Sequence, residues 1–255
     1  MHYGNCKFEC VEYIKNIIFK RLITPDEIAA IIVEPIQGEG GYIIPPPEFL
    51  KLLKEIAEEH RIAFIVDEIQ SGMGRTGKMW SIEHFGIEPD IVCAAKGLAS
   101  GLPMGATIAK KEFFEDVKPG AHSGTFSGNP VCCAAALETI KLLEEGLIEN
   151  AAAVGGYILD RLLKMKDTYE IIGDARGKGL MIGIEIVKNK KSKEENLPAR
   201  NSIIQKAFQK GLLLLPAGPS GVSAIRLAPP LILSKDEADI GLDLLEQAIK
   251  EVIKE

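Results

Sequence analysis

A chain of 255 residues is long enough to bury one large core or two smaller ones. Its composition, 46% hydrophobic, 26% charged and 6% aromatic, is that of a globular protein, and a net charge of −6 with a pI near 5.4 excludes the basic field that general nucleic-acid or anionic-membrane binding requires. The five cysteines are odd in number, form no C-x-x-C and include the adjacent Cys132 and Cys133, and the four histidines are scattered, so neither a disulfide framework nor a metal site is expected and a reduced, cytoplasmic setting is.

In chain order, Met1 to Asn5 carries no apolar signal core, and no later apolar run approaches membrane-spanning length. Val11, Ile14, Ile17 or Ile18, and Leu22 recur at helical spacing. Thr24-Pro25-Asp26-Glu27 predicts a capped turn, and Ala29 to Val33 a short buried strand ending at Glu34-Pro35. After a Gly/Pro-rich loop from Gly38 to Pro47, a helix is predicted from about Glu48 to Glu59, with Phe49, Leu52, Leu53 and Ile56 on one face. Ile62 to Val66 reads as a second strand, closed by Asp67-Glu68. A glycine-rich stretch from Gly72 to Gly77 comes next, then a strand Ile91 to Ala95 ending at Lys96, and a fourth strand Gly105 to Ala109.

Unbroken apolar strands separated by helices predict an α/β fold with a mostly parallel sheet covered on both faces, and ligands sit beyond the carboxyl ends of such strands. Glu34, Asp67 and Lys96 stand there. Beyond Gly128-Asn129-Pro130 a long helix runs to about Glu145, and Ile148 to Leu163 is helical. From Gly179-Leu180 to Val187, Leu180, Ile182, Ile184 and Ile186 alternate, the pattern of a half-exposed strand. A charged loop from Lys188 to Asn196, a helix, short strands at Leu212–Leu215 and Ala224–Leu227, and a final helix opened by Ser234 and Glu237 in capping-box spacing complete the chain. The expected division is 1–145, part of a large α/β domain, and 146–255, a smaller α+β domain.

Lys96 is the chemically notable residue. An amine beside apolar walls loses its charge more easily than one in water, and a neutral amine attacks an aldehyde. Asp67, at the end of another strand, suits a carboxylate that keeps a ring nitrogen protonated. A rival reading takes Ile62 to Glu68 as a magnesium-holding strand and Gly72-Met73-Gly74-Arg75-Thr76-Gly77-Lys78 as a phosphate loop. Met79 stands where that loop needs a hydroxyl, and the loop follows the acidic strand instead of preceding it, so this reading is set aside.

Five segments, taken together, resemble the class III (ω-) aminotransferases, and occur in that family's order. Val33 to Gly41 resembles V-E-P-(I/V)-Q-G-E-x-G, and Val66 to Gly77 resembles D-E-(I/V)-Q-(S/T)-G followed by R-T-G. Pro89-Asp90-Ile91 to Lys96-Gly97 resembles P-D-(I/L)-x-x-x-x-K-(G/A/S). Thr125 to Pro130 resembles T-(F/Y)-x-G-N-P, and Ile225 to Pro230 resembles (I/L)-R-(L/F)-x-P-P.

The resemblance implies the fold type I of pyridoxal 5'-phosphate enzymes and a transfer of an amino group from an ω-amino donor of the 4-aminobutyrate, ornithine or acetylornithine type to 2-oxoglutarate. It implies that Lys96 holds the cofactor as a Schiff base and shuttles a proton, that Asp67 pairs with the pyridine nitrogen, and that Gln70 sits near the phenolic oxygen. Thr125 would reach the cofactor phosphate of a neighbouring subunit, which implies a homodimer. Glu39 and Arg226 would form a switchable ion pair, with Arg226 holding a substrate α-carboxylate and Glu39 masking it when an ω-amine binds. Glu34 would be a supporting residue. The resemblance covers only the later part of the family's usual length; the front part, which brings the phosphate-binding loop, has no counterpart here. An amino-acid racemase on the same scaffold, a split enzyme completed by a missing N-terminal half, and an inactive fragment stay open at this point.

Overall fold

The computed structural model describes residues 6–218 and 222–254; the opening pentapeptide, read above as lacking a signal core, lies outside the described residues. Two compact units are present. The first comprises the chain up to Pro35, Pro45–Met73 and Trp80–Leu142; the second comprises Ile36–Ile44, Gly74–Met79 and the chain from Leu143 onward. A single cut at 145/146 therefore omits two short segments of the front half that fold with the back half.

The first unit opens with a short helix, α1 (Glu9–Tyr13), continued in π-helical form over Ile14–Leu22, and then the predicted turn at Pro25–Glu27. Strands β1 (Ala30–Val33), β2 (Ala63–Asp67), β3 (Ile91–Ala94) and β4 (Ala106–Ala109) form one sheet in that order. The first three run parallel and β4 runs antiparallel to β3, giving the mostly parallel sheet expected. Helix α2 (Pro47–His60) makes the crossover from β1 to β2 and buries Leu50, Leu53, Ile56 and Ala57. The buried stripe thus includes Leu50 and Ala57, with Phe49 and Leu52 at its margin. The expectation that the sheet is covered on both faces is corrected: Ile32 is 63% and Ile108 48% exposed, and both belong to β1 and β4, the end strands of the sheet among the described residues.

Asp90, just before β3, ties two strands together. Its carboxylate accepts from the Phe64 backbone N–H at 2.9 Å, Lys54 Nζ at 3.1 Å and Lys110 Nζ at 2.9 Å. Burial alone pushes this carboxyl up, but the hydrogen bonds from Lys110, Phe64 and Lys54 outweigh it and hold the group below the usual carboxylate range. Asp90→Ala is expected to cost about 1–3 kcal/mol at neutral pH, because it leaves the buried Phe64 N–H without its acceptor, while Lys54 and Lys110 keep Glu58 and Glu88 as partners. A depressed carboxyl stabilises above its unfolded pKa and loses that contribution as pH falls through the folded one. The difference between variant and parent in urea unfolding should therefore shrink below about pH 4.

Helix α3 (Pro130–Leu142) closes the first unit. The helix predicted to reach Glu145 stops there, since Leu143–Leu147 is π-helical and Gly146 has φ 136°. The second unit continues with α4 (Ile148–Thr168), β5 (Ile172–Lys178), β6 (Met181–Ile186), α5 (Leu197–Gln209), β7 (Leu215–Ala217), β8 (Ala224–Leu227) and α6 (Lys235–Lys254). Its antiparallel sheet has the order β5-β6-β8-β7. Val154, Ile158 and Leu162 of α4, Leu242, Leu245 and Ile249 of α6, and Ile182, Ile184 and Ile186 of β6 share one core. The half-exposed strand at 179–187 is a misreading: Met181 and Ile182 are both fully buried, because Ile36 and Tyr42 cover the face opposite the core. Strand β5 is absent from the sequence reading, and β7 begins at Leu215, where the predicted strand ends. Ser234 and Glu237 form the expected capping box. Among the described residues no helix is long and apolar enough to cross a membrane.

Candidate functional site

Parallel pairing places the carboxyl ends of β2 and β3 side by side, with Asp67 opposite Cys93 and the Glu68 N–H donating to the Cys93 carbonyl at 2.9 Å. Asp67 is half-buried, and its Oδ1 accepts from the Ile69 N–H at 3.0 Å, which orients the carboxylate. Burial, and next the Asp67 charge, push the Cys93 thiol up. Behind Asp67, fully buried Glu68 accepts from Ser71 Oγ (2.6 Å), Ser81 Oγ (2.7 Å) and the Ile82 N–H (2.8 Å), so the chain leaving β2 is anchored at its first residue. Gln70 is half-buried in the turn that follows.

Lys96 opens a tight turn, Lys96–Ala99, directly after β3. Its φ of 38° lies in the left-handed region, which costs a non-glycine residue about 1–3 kcal/mol and persists only where the surroundings over-determine it. They do so here. Leu98 and Ala99 are buried, α3 packs on the turn, Ser100 Oγ and Thr139 Oγ1 lie 2.9 Å apart, and a Cβ on Gly97 would meet Met73 at 3.3 Å. Lys96 itself is exposed, so a reachable amine is mounted on a rigid base. The fold thus brings Asp67, Gln70 and Lys96 to one end of the sheet. Thr125 is different: it lies within 111–128, exposed throughout, and makes no hydrogen bond to those three among the described residues. Glu34 is half-buried just past β1.

The other pair lies in the second unit, where an Arg226 guanidinium nitrogen meets Glu39 Oε1 at 2.5 Å. Arg226 Nε is buried, with no hydrogen-bond partner among the described residues. An open depression of about 530 Å³ adjoins Glu39, lined also by Gly40, Arg200, Pro216, Ala217 and Gly218. Strand register puts Arg176 of β5, Gly183 of β6 and Arg226 of β8 in one row, and residues directly opposite share a face. Tyr42, 3% exposed, covers that row. Its phenol is pushed up by burial, against the lowering influence of the Arg226 and Arg75 charges. Arg75 donates to the carbonyls of Leu180 (3.3 Å) and Pro229 (2.5 Å), and burial lowers its pKa. Tyr42, Arg75 and Arg176 are functional candidates that sequence reasoning missed. The one local signal was glycine density around Arg176, from Gly173 to Gly179.

The stretch once weighed as a phosphate loop has a packing role instead. A Cβ on Gly77 would lie 2.8 Å from Ala152 Cβ, and Gly74 packs against Leu143 and Ile148. Both glycines have positive φ, 79° for Gly74 and 81° for Gly77, so the backbone comes close to its neighbours where a side chain would block it.

A mostly parallel sheet with an amine and a carboxylate at adjacent strand ends, in one chain with an antiparallel α+β unit, defines the class: an α/β fold of the pyridoxal-phosphate-dependent transferase type. Residues 3–249 match the model of the family described as Aminotransferase class-III, and the chain belongs to that family. It is 45% identical over 250 residues to a leucine/methionine racemase of Thermococcus litoralis, covering 98% of this chain and 56% of that protein. To a 4-aminobutyrate aminotransferase of Mycobacterium leprae it is 42% identical over 235 residues, covering 92% and 52%. Among solved structures, an amine transaminase from an uncultivated Pseudomonas species, in its PLP-bound form, superposes with a TM-score of 0.88 at 36% identity, over 96% of this chain and 56% of that one. The chain thus spans about half the length of the relatives it matches.

Proposed function

We propose that the chain forms part of a cytoplasmic, homodimeric aminotransferase that moves an amino group from an ω-amino donor to 2-oxoglutarate, the rest of the phosphate cradle coming from a further segment. The observation that carries this reading is the Glu39–Arg226 pair with its unsatisfied Arg226 Nε. A buried donor left alone costs about 1–3 kcal/mol, and a bound carboxylate would satisfy it. Lys96 on its strained turn and Asp67 held by the Ile69 N–H, at the ends of neighbouring parallel strands, support the cofactor assignment.

Pyridoxal 5'-phosphate, when bound, supplies the aldehyde that captures an amine and the electron-poor ring that stabilises negative charge at Cα. The part of Lys96 is to hold that group and then to take and return the proton at substrate Cα. Asp67 keeps the pyridine nitrogen protonated through a charge-assisted hydrogen bond worth roughly 1.5–3 kcal/mol. Gln70 orients the phenolic oxygen, and Thr125 serves the phosphate of a second copy. Arg226 binds the α-carboxylate of glutamate or 2-oxoglutarate, and Glu39 covers that cation when an ω-amine occupies the site.

Racemisation is a second reading, favoured by the identity to the Thermococcus litoralis racemase. It would use the same lysine, with the proton returned to the opposite face of Cα. The complete enzyme, incubated with a donor panel and 2-oxoglutarate, is expected to form glutamate. Tritium exchange at Cα with no keto acid would replace transfer with racemisation.

A further inference from the structure

Arg176 and Arg226 flank Gly183 on one sheet face, and the 36–44 segment lies across the glycine between them. A Cβ at Gly183 would come 3.2 Å from Tyr42 Cβ and 3.3 Å from the Gly41 carbonyl oxygen, so the segment seats there because the position has no side chain. The two arginines grip it differently. Arg226 reaches a side chain, Glu39. Arg176 reaches backbone: Nε donates to the Tyr42 carbonyl at 3.0 Å and a terminal nitrogen donates to the Gly41 carbonyl at 2.7 Å.

The remaining terminal nitrogen of Arg176 donates to Asp174 at 2.9 Å and Glu185 at 2.8 Å. Arg176 is therefore spoken for on every side, with a side chain only 13% exposed. Burial pushes the Asp174 carboxyl up, yet the Arg176 hydrogen bond and charge, with Lys166 and Lys193, bring it below its usual range, so the acid stays ionised. One further bond, from the Gly218 N–H to the Glu39 carbonyl at 3.0 Å, holds the segment from another side.

We infer that Arg176 is a positioning residue that acts through the Gly41 and Tyr42 carbonyls to hold Glu39 against Arg226, and so sets how readily Glu39 yields that cation to a carboxylate ligand. Resting on the proposed role of the Glu39–Arg226 pair, this assigns the fixed half of the device to Arg176 and the movable half to Glu39. A neutralised, buried guanidinium holding carbonyls does not exchange with an incoming anion; an exposed carboxylate on Arg226 does.

The probe is glutarate, titrated into the 255-residue chain and followed by the 1H–15N signal of Arg226 Nε–H, assigned with Arg226→Lys. Glu39→Gln removes the competing anion and is expected to tighten glutarate binding about twofold to fivefold, the range of a partly exposed ion pair. Arg176→Ala is expected to tighten it to a similar degree, and the double variant no further, because both changes release the same contact. If Glu39→Gln leaves the affinity unchanged, the pair is not a mask, and the underlying reading fails together with this one. If Glu39→Gln tightens binding and Arg176→Ala does not, the role given to Arg176 alone is wrong. Should Arg176→Ala lose native circular dichroism, Gly183→Ala, whose Cβ crowds Tyr42 Cβ at 3.2 Å and the Gly41 carbonyl at 3.3 Å and so displaces the segment slightly, replaces it under the same criterion.

Discussion

Lys96→Ala in the assembled enzyme is expected to lower amino transfer by about 10⁴-fold, the upper range for loss of a group that moves a proton in the rate-limiting step. Alanine keeps the left-handed φ that lysine already endures, so the fold is under the same local strain and the loss reads chemistry, not stability. Borohydride treatment followed by digestion is the direct check. In the parent protein the reduced cofactor should stay on the peptide containing residue 96, and in the variant on none; label on any other peptide overturns the assignment. Asp67→Asn gives the complementary result. The peptide label remains, while turnover falls about tenfold to a hundredfold, matching the loss of one charge-assisted hydrogen bond realised in the transition state.

The largest stability effect is expected at Gly155, on the inner face of α4. A Cβ there would lie 2.0 Å from the Gly179 carbonyl oxygen and 2.1 Å from its carbon. Gly179 has nowhere to go: its φ is 51°, and its own Cβ would sit 2.4 Å from the Thr76 carbonyl carbon. Helix, turn and the 74–79 segment thus pack backbone on backbone. Gly155→Ala should cost about 3 kcal/mol or more, since no flexible side chain can absorb the overlap. Gly156 provides the control. It meets nothing within 4 Å, so Gly156→Ala should stabilise by about 0.5–1 kcal/mol through helix propensity alone. Urea unfolding of the pair measures both, and equal midpoints would refute the packing argument.

What could be read from sequence was what is local. Apolar runs closed by Asp67 and Lys96 sit at strand ends because each strand declares itself over four or five residues, and the parallel order of β1 and β2 follows from the helix α2 between them. The second unit was harder. Strand β5, Ile-Gly-Asp-Ala-Arg-Gly-Lys, has low strand propensity, and it forms because β6 pairs with it and because Arg176 neutralises Asp174 and Glu185. The Arg176–Gly183–Arg226 row exists only once three strands are in register, a long-range outcome that no window of sequence contains. Likewise Ile32 read as buried from its apolar neighbours, whereas its exposure depends on β1 having a single partner.

That last feature bears on handling the molecule. Strand β1, Ala-Ile-Ile-Val, borders its sheet with no proline or charge along its length. Native sheets usually blunt such a margin, because a bare apolar rim templates β-addition by a neighbouring copy and leads to insoluble assemblies. Ile32→Lys is therefore expected to reduce self-association of the purified polypeptide, which light scattering over a concentration series would check.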